Sequence, residues 1–174
     1  MRPAEDDGIG AQAGQACRFD FPAGWVRRPP AEGAADGTVL RATYYGPDRV
    51  PLLELRVDHR PDAAESVESV SSTATSTVAL LLASTQDRRG VRVANEPEVT
   101  RLDLPAGPAV RVRALLSVRR FLGLSRRLSQ SVRYAVFPPG SEGFVVVAFT
   151  WDAIGRSHEL ARLADELMVT FRTA

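Results

Sequence analysis

Pro51-Leu-Leu-Glu-Leu-Arg-Val-Asp-His59 decides how this chain is read. Leu53, Leu55 and Val57 fall on one side, and Glu54, Arg56 and Asp58 on the other. A period of two sends successive side chains to opposite faces of an extended strand, here one dry and one wet. Just upstream, Val39 to Tyr45 reads as a second strand, and Gly46-Pro-Asp48 between the two makes a hairpin turn. Just downstream the period changes. Asp62 follows Pro61, and Glu65 stands three residues later, a capping-box spacing with aspartate as the cap. Val67, Val70, Ala74, Val78, Leu81 and Leu82 then recur at three and four, against a Ser/Thr face. This predicts a helix over 62–85, ended by Arg88-Arg-Gly90. Serine and threonine are poor helix formers, so packing on a sheet has to hold it. A low-complexity linker over 66–77 is the competing reading.

The flanks supply the rest of the sheet. Cys17 to Phe21 alternates weakly and stops at Pro22; Pro22-Ala-Gly-Trp25 turns into a short extended piece, Trp25 to Arg28. Residues 29–37 are expected to be a Pro/Gly/Ala loop. Val91 to Leu104 reads as one long strand bent near Pro97. Val110 to Arg119 puts Val110, Val112, Ala114, Leu116 and Val118 on one side. Leu128 to Phe137 does the same with Val132, Tyr134 and Val136. Phe144 to Trp151 is almost wholly apolar, as a central strand is. Ser157 is expected to cap a last helix with the stripe Leu160, Leu163, Ala164, Leu167 and Met168, continued by Phe171. The expected fold class is α+β: an antiparallel sheet of about six strands with two packing helices. Residues 1–15 lack periodicity and are expected to be a disordered tail, leaving 16–174 as a single domain.

Composition sets bounds on this picture. A chain of 174 residues can bury one sizeable core, and 44% hydrophobic with 25% charged residues is a globular balance. The formal net charge of +1 gives no global case for nucleic acid. Every one of the 22 basic residues is arginine. Cys17 is the lone cysteine, which rules out an intramolecular disulfide and a cysteine-rich metal site. The opening MRPAEDDGIGAQAGQA has no apolar h-region, so no signal peptide is expected. The apolar runs are shorter than a membrane span. A cytoplasmic location is the expectation.

Two segments carry a family resemblance. The opening Phe19-x-Phe21-Pro22-x-Gly24-Trp25 resembles the entry motif of the Mog1/PsbP-like domains, which include DcrB-like and actinobacterial LpqN-like proteins. The run from Arg133-Tyr-Ala-Val-Phe-Pro138 through Gly143-Phe-Val-Val-Val-Ala-Phe149-Thr to Met168-Val-Thr-Phe-Arg172 is similar as well. The resemblance covers about residues 17–172. It implies an α/β/α sandwich in which a hairpin, a long helix, a strand meander and a C-terminal helix follow in order. It also implies an accessory or binding role, since members of the superfamily are mostly not enzymes. The secreted members carry leader peptides, a departure that argues against an envelope role here. No Ran-binding or photosystem motif is present.

The chemistry-bearing residues are sparse. His59 and His158 are the only histidines, and no serine or cysteine stands in a nucleophile motif. Zinc needs about three protein ligands, and no such spacing occurs. Gly8, Gly10 and Gly14 follow no strand and lie in an acidic segment, so they are no phosphate loop. No enzyme activity, metal or cofactor is expected. The unusual stretch is Leu104 to Ser141, which contains no acid but holds Arg111, Arg113, Arg119, Arg120, Arg126, Arg127 and Arg133. Arg119-Arg-Phe-Leu-Gly-Leu-Ser-Arg-Arg127 should join two antiparallel strands, with Phe121, Leu122 and Leu124 at the tip between Arg119, Arg120, Arg126 and Arg127. Arg111, Arg113 and Arg133 would extend that positive field along a wet sheet face. The leading expectation is a non-enzymatic interaction module that docks an acidic protein partner there. An anionic lipid surface and nucleic-acid phosphates are weaker readings of the same charges. The plain alternative is a solvated hairpin whose apolar tip folds back on the core. From a different class comes a small-ligand or lipid carrier, with Trp25, Tyr44, Tyr45 and Trp151 lining a groove between sheet and long helix. An exposed sheet edge also leaves room for a homodimer.

Overall fold

The computed structural model describes residues 17–29, 37–60, 90–119, 125–141 and 143–173. In chain order the elements are β1 (Cys17–Arg18), β2 (Trp25–Arg28), β3 (Thr38–Tyr45), β4 (Pro51–Arg60), β5 (Val91–Val93), β6 (Glu98–Leu104), β7 (Gly107–Arg119), β8 (Arg126–Val136), β9 (Phe144–Trp151), a 3-10 turn (Ile154–Arg156), α1 (Ser157–Thr170) and β10 (Arg172–Thr173). The main sheet runs β2-β3-β4-β9-β8-β7, with every pairing antiparallel. Both β5 and β6 pair with β7, β5 at Leu116–Val118 and β6 at Gly107–Arg113. Because β8 occupies the other side of β7 along its length, β5 and β6 lie end to end on one edge. A separate two-stranded sheet joins β1 to β10.

The expectation of about six strands and two packing helices is therefore corrected. The described residues hold an eight-stranded sheet, a second sheet of two strands, and one α-helix. The expected helix over 62–85 lies outside the described residues, as does the expected tail over 1–15. Three causes raise the strand count. The short piece Trp25–Arg28 is paired in full to β3. The long segment Val91–Leu104 breaks into two strands, and Asn95 Oδ1 at the break accepts the Leu115 amide at 2.8 Å while the Ala94 amide donates to the Leu115 carbonyl at 2.7 Å. At the ends, only Cys17–Arg18 of the weakly alternating Cys17–Phe21 is paired, and its partner Arg172–Thr173 is too short to show any periodicity.

The core sits between the sheet and α1. Leu53, Leu55 and Val57 from β4, Val145, Val147 and Phe149 from β9, and Val132, Tyr134 and Val136 from β8 face Leu160, Ala164, Leu167 and Met168 of the helix, with Phe19 and Phe171 closing one side. Burying each large apolar side chain contributes roughly 1.5–3 kcal/mol. The opposite sheet face is not simply wet. Val110, Val112, Ala135, Phe144 and Val146 make a second buried cluster with Phe137 packed against it. Register explains why. Val110 pairs with Ala135 and Arg111 with Tyr134, so the apolar series of β7 faces away from the apolar series of β8. Two-sided burial is what the unbroken apolar run of β9 required.

Ser157 does not cap α1. It is the first helical residue, the cap position falls on Arg156, and no side chain caps the helix. The Ser157 hydroxyl instead accepts the Trp151 indole N–H at 2.9 Å, tying the end of β9 to the start of the helix.

Candidate functional site

The β7–β8 hairpin holds the arginines singled out by sequence. Its last register pair sets Arg119 directly opposite Arg126, and the pair before it sets Val118 opposite Arg127. Arg119 and Arg126 are exposed, and among the described residues no ion pair involves either. Like charges directly opposed across an antiparallel ladder disfavour the pairing. Arg127 differs, since its guanidinium is ion-paired with Asp152, both half-exposed. Arg120, Phe121, Leu122 and Leu124 lie outside the described residues. Of the proposed hairpin contact, the described part is thus Arg119, Arg126 and Arg127, with one charge neutralised locally.

The wider positive field does not form as expected. Arg111 is buried, at 9% exposure, on the helix side of the sheet. Its Nε donates to Asp165 Oδ1 at 3.0 Å and its Nη2 to Oδ2 at 3.3 Å, a two-pronged pairing with a helix carboxylate. Tyr134 O–H also donates to Asp165, and Glu98 stands 3.9 Å from both Arg111 and Arg113. Burial weakens the Arg111 charge, but Tyr134 and the carboxylates of Asp165 and Glu98 outweigh it and hold the pKa above its ordinary value. Burial and Asp165 together push the Tyr134 phenol well up, so it stays protonated as a donor. Arg133 projects from the other face, opposite Val112, and its Nε donates to Ser131 Oγ at 3.3 Å. Arg111 therefore locks helix to sheet, Arg113 lies beside Glu98 within the sheet, and neither extends the hairpin's field. The sequence showed a polar position in an alternating strand; it did not show the acids that arrive from α1 and β6.

The four aromatics expected to line a groove divide between the two faces. Trp25 and Tyr44 are register partners, with ring centroids 5.6 Å apart. Phe21 stacks on Trp25 at 5.4 Å, and both Trp25 and Tyr44 pack on the core. Trp151 is a core residue at 3% exposure. Tyr45 instead accepts a hydrogen bond from Arg28, whose guanidinium lies 5.9 Å over its ring. An open groove of about 540 Å³ lies elsewhere, between Asp20, Phe21 and Pro22 and the helix residues Leu163, Glu166, Leu167 and Thr170. None of the four aromatics lines it.

Among the described residues, no group of three or more His, Cys, Asp or Glu side chains lies together in a way that holds a metal ion. His59 is in β4 opposite Val145 and His158 is in the first turn of α1. No described helix is long and apolar enough to cross a membrane.

No family model matches the chain. No curated protein matches it either. Among solved structures, the fold is similar to that of LpqN of Mycobacterium tuberculosis, described as involved in cell envelope biogenesis. The TM-score is 0.57 at 12% identity, over 95% of this chain and 87% of that one. At that identity the likeness shows a shared fold, in accord with the distant LpqN-like resemblance carried by the opening motif and the last strands.

Proposed function

We propose that the chain is a non-enzymatic accessory module that captures an acidic partner protein through the β7–β8 hairpin. The observation that carries this reading is the exposed Arg119–Arg126 pair, opposed in register and without a neutralising acid among the described residues. A carboxylate entering between two guanidiniums removes the repulsion and gains charge-assisted hydrogen bonds. Arg127 lies on the opposite face of the strand and is already paired with Asp152, so the open charges are those of Arg119 and Arg126.

The test is capture of the partner from native lysate, then binding between the two purified proteins. Changing Arg119, Arg120, Arg126 and Arg127 together to Glu should leave the far-UV circular dichroism unchanged and abolish the complex. Binding of the natural form should weaken steeply with added salt. Equal capture by the fourfold variant sinks the reading.

A further inference from the structure

The outer strands carry a second cationic feature that the sequence conceals, because its members are far apart along the chain. Register pairs Arg28 of β2 with Arg41 of β3, and Arg41 with Arg56 of β4. The line continues through Ala148 of β9 to Arg133 and Val112. Direct partners share a face, so these residues lie on the side of the sheet opposite α1, where Val112 belongs to the second cluster.

Three arginines side by side repel one another, and their geometry shows the response. Arg28 leans toward the end of β3, onto the Tyr45 hydroxyl and ring. Arg56 leans toward the start of β3, where its Nε meets Asp58 Oδ1 at 2.8 Å and its Nη2 donates to Thr38 at 2.9 Å. Arg41 remains between them, half-buried, with no ion pair to any described carboxylate. Glu54, diagonal to it and exposed, opposes Thr43 instead. Among the described residues, only Arg56 of the three is paired with an acid, Asp58.

We propose that the Arg28–Arg41–Arg56 row is a docking strip for the acidic face of a partner helix, with Arg41 as its central anchor. Spacing selects the helix. Strands lie about 4.8 Å apart, so the row is roughly 10 Å long. Helix residues at i and i+4 are about 5–6 Å apart, and i to i+7 spans roughly 10.5 Å along the axis. Acids at i, i+4 and i+7 therefore fall opposite the three guanidiniums. An extended segment places same-face side chains about 6.7 Å apart and runs out of step by the third. Single-stranded nucleic acid is disfavoured because its binding sites stack bases on open aromatic faces, and Tyr45, the aromatic beside the row, is already covered by Arg28. This surface is separate from the hairpin and stands or falls without it.

The probe is a fluorescent alanine-rich helical peptide with glutamates at i, i+4 and i+7, titrated into the full chain at low ionic strength. The control peptide has the same composition with its glutamates moved to different faces. The matched peptide should bind better than the control. Arg41→Glu should weaken it by about tenfold or more, while Arg92→Glu, the same charge change on an exposed edge position of β5, should not. Arg41→Gln gives an independent reading if the Glu variant is unstable, and should also weaken binding. Equal binding of both peptides, indifference to both Arg41 substitutions, or displacement by an oligonucleotide of equal charge as efficient as by unlabelled peptide would each overturn the proposal.

Discussion

Asp165 holds two buried groups from one helix position. It accepts from Arg111 through both oxygens and from the Tyr134 phenol. Removing it leaves a nearly buried guanidinium short of its main acid, with Glu98 at 3.9 Å as the remaining one. Asp165→Ala is expected to cost about 2–3 kcal/mol, read as a lower urea midpoint at unchanged slope. Tyr134→Phe keeps the ion pair and loses the bond to Asp165 and the long one accepted from Arg111 Nε at 3.4 Å, so it should cost less, about 1–1.5 kcal/mol. Equal losses would show that the carboxylate is not the centre of the network. Cys17 makes a different prediction. Burial pushes its thiol up from 9.0 to about 11. The folded state then keeps a proton that the unfolded chain releases first, so stability is complete below pH 9 and falls as pH rises toward 11. Cys17→Ala should remove that part of the alkaline loss, leaving the higher-pH part due to Tyr134, whose phenol is also pushed up by burial. A pH series of urea midpoints for both proteins checks it.

Two turns show how single positions set the path of whole strands. The β6–β7 hairpin closes with Leu104 opposite Gly107, and Gly107 sits at φ +132. A Cβ there would stand 2.3 Å from the Phe137 carbonyl oxygen, which is backbone and has no rotamer to escape by. Gly107→Ala should therefore cost about 2 kcal/mol or more, and its thermal midpoint should fall by several degrees. Gly24, within the opening motif, is similar: φ is +96 and a Cβ would meet the Tyr44 ring at 2.7 Å. The elements themselves were largely legible. β4 declared itself by alternation, β9 by its unbroken apolar run, and α1 by a stripe whose members Leu160, Ala164, Leu167 and Met168 are all buried. What was not legible was which strand lies beside which, because register is fixed by contacts between distant segments. Arg111 looked wet only because its neighbours Val110 and Val112 were assumed to face the core alone. Arg28, Arg41 and Arg56 looked unrelated for the same reason. Of the hairpin, the charge excess was readable, but the Asp152 partner of Arg127 was not.

Over the molecule, the order β2-β3-β4-β9-β8-β7 places the strands of densest burial in the middle and the weakest at one rim. Val132, Tyr134, Ala135 and Val136 of β8 and Val145, Val147 and Phe149 of β9 are all at 0% exposure, covered on both faces and paired on both edges. In β2, by contrast, Val26 is 50% exposed and, among the described residues, the strand pairs with β3 alone. Its hold on the body comes from the aromatic chain Phe171–Phe19–Phe21–Trp25–Tyr44, with centroid spacings of 4.8 to 5.6 Å. A rim held by one ladder and an aromatic chain, and a centre held by two ladders, should open with different free energies. Native-state hydrogen exchange is expected to find the bonded amides of β8 and β9 opening only with global unfolding. Those linking β2 to β3 should open sub-globally, at lower free energy and with little dependence on denaturant. Truncating Phe21 to Ala removes the middle of the aromatic chain, so it should speed exchange in β2 well before it affects β8. Equal acceleration at both strands would mean that the rim and the centre form one cooperative unit. The arginine row would then rest on a rigid sheet, not on an edge that can yield to a partner.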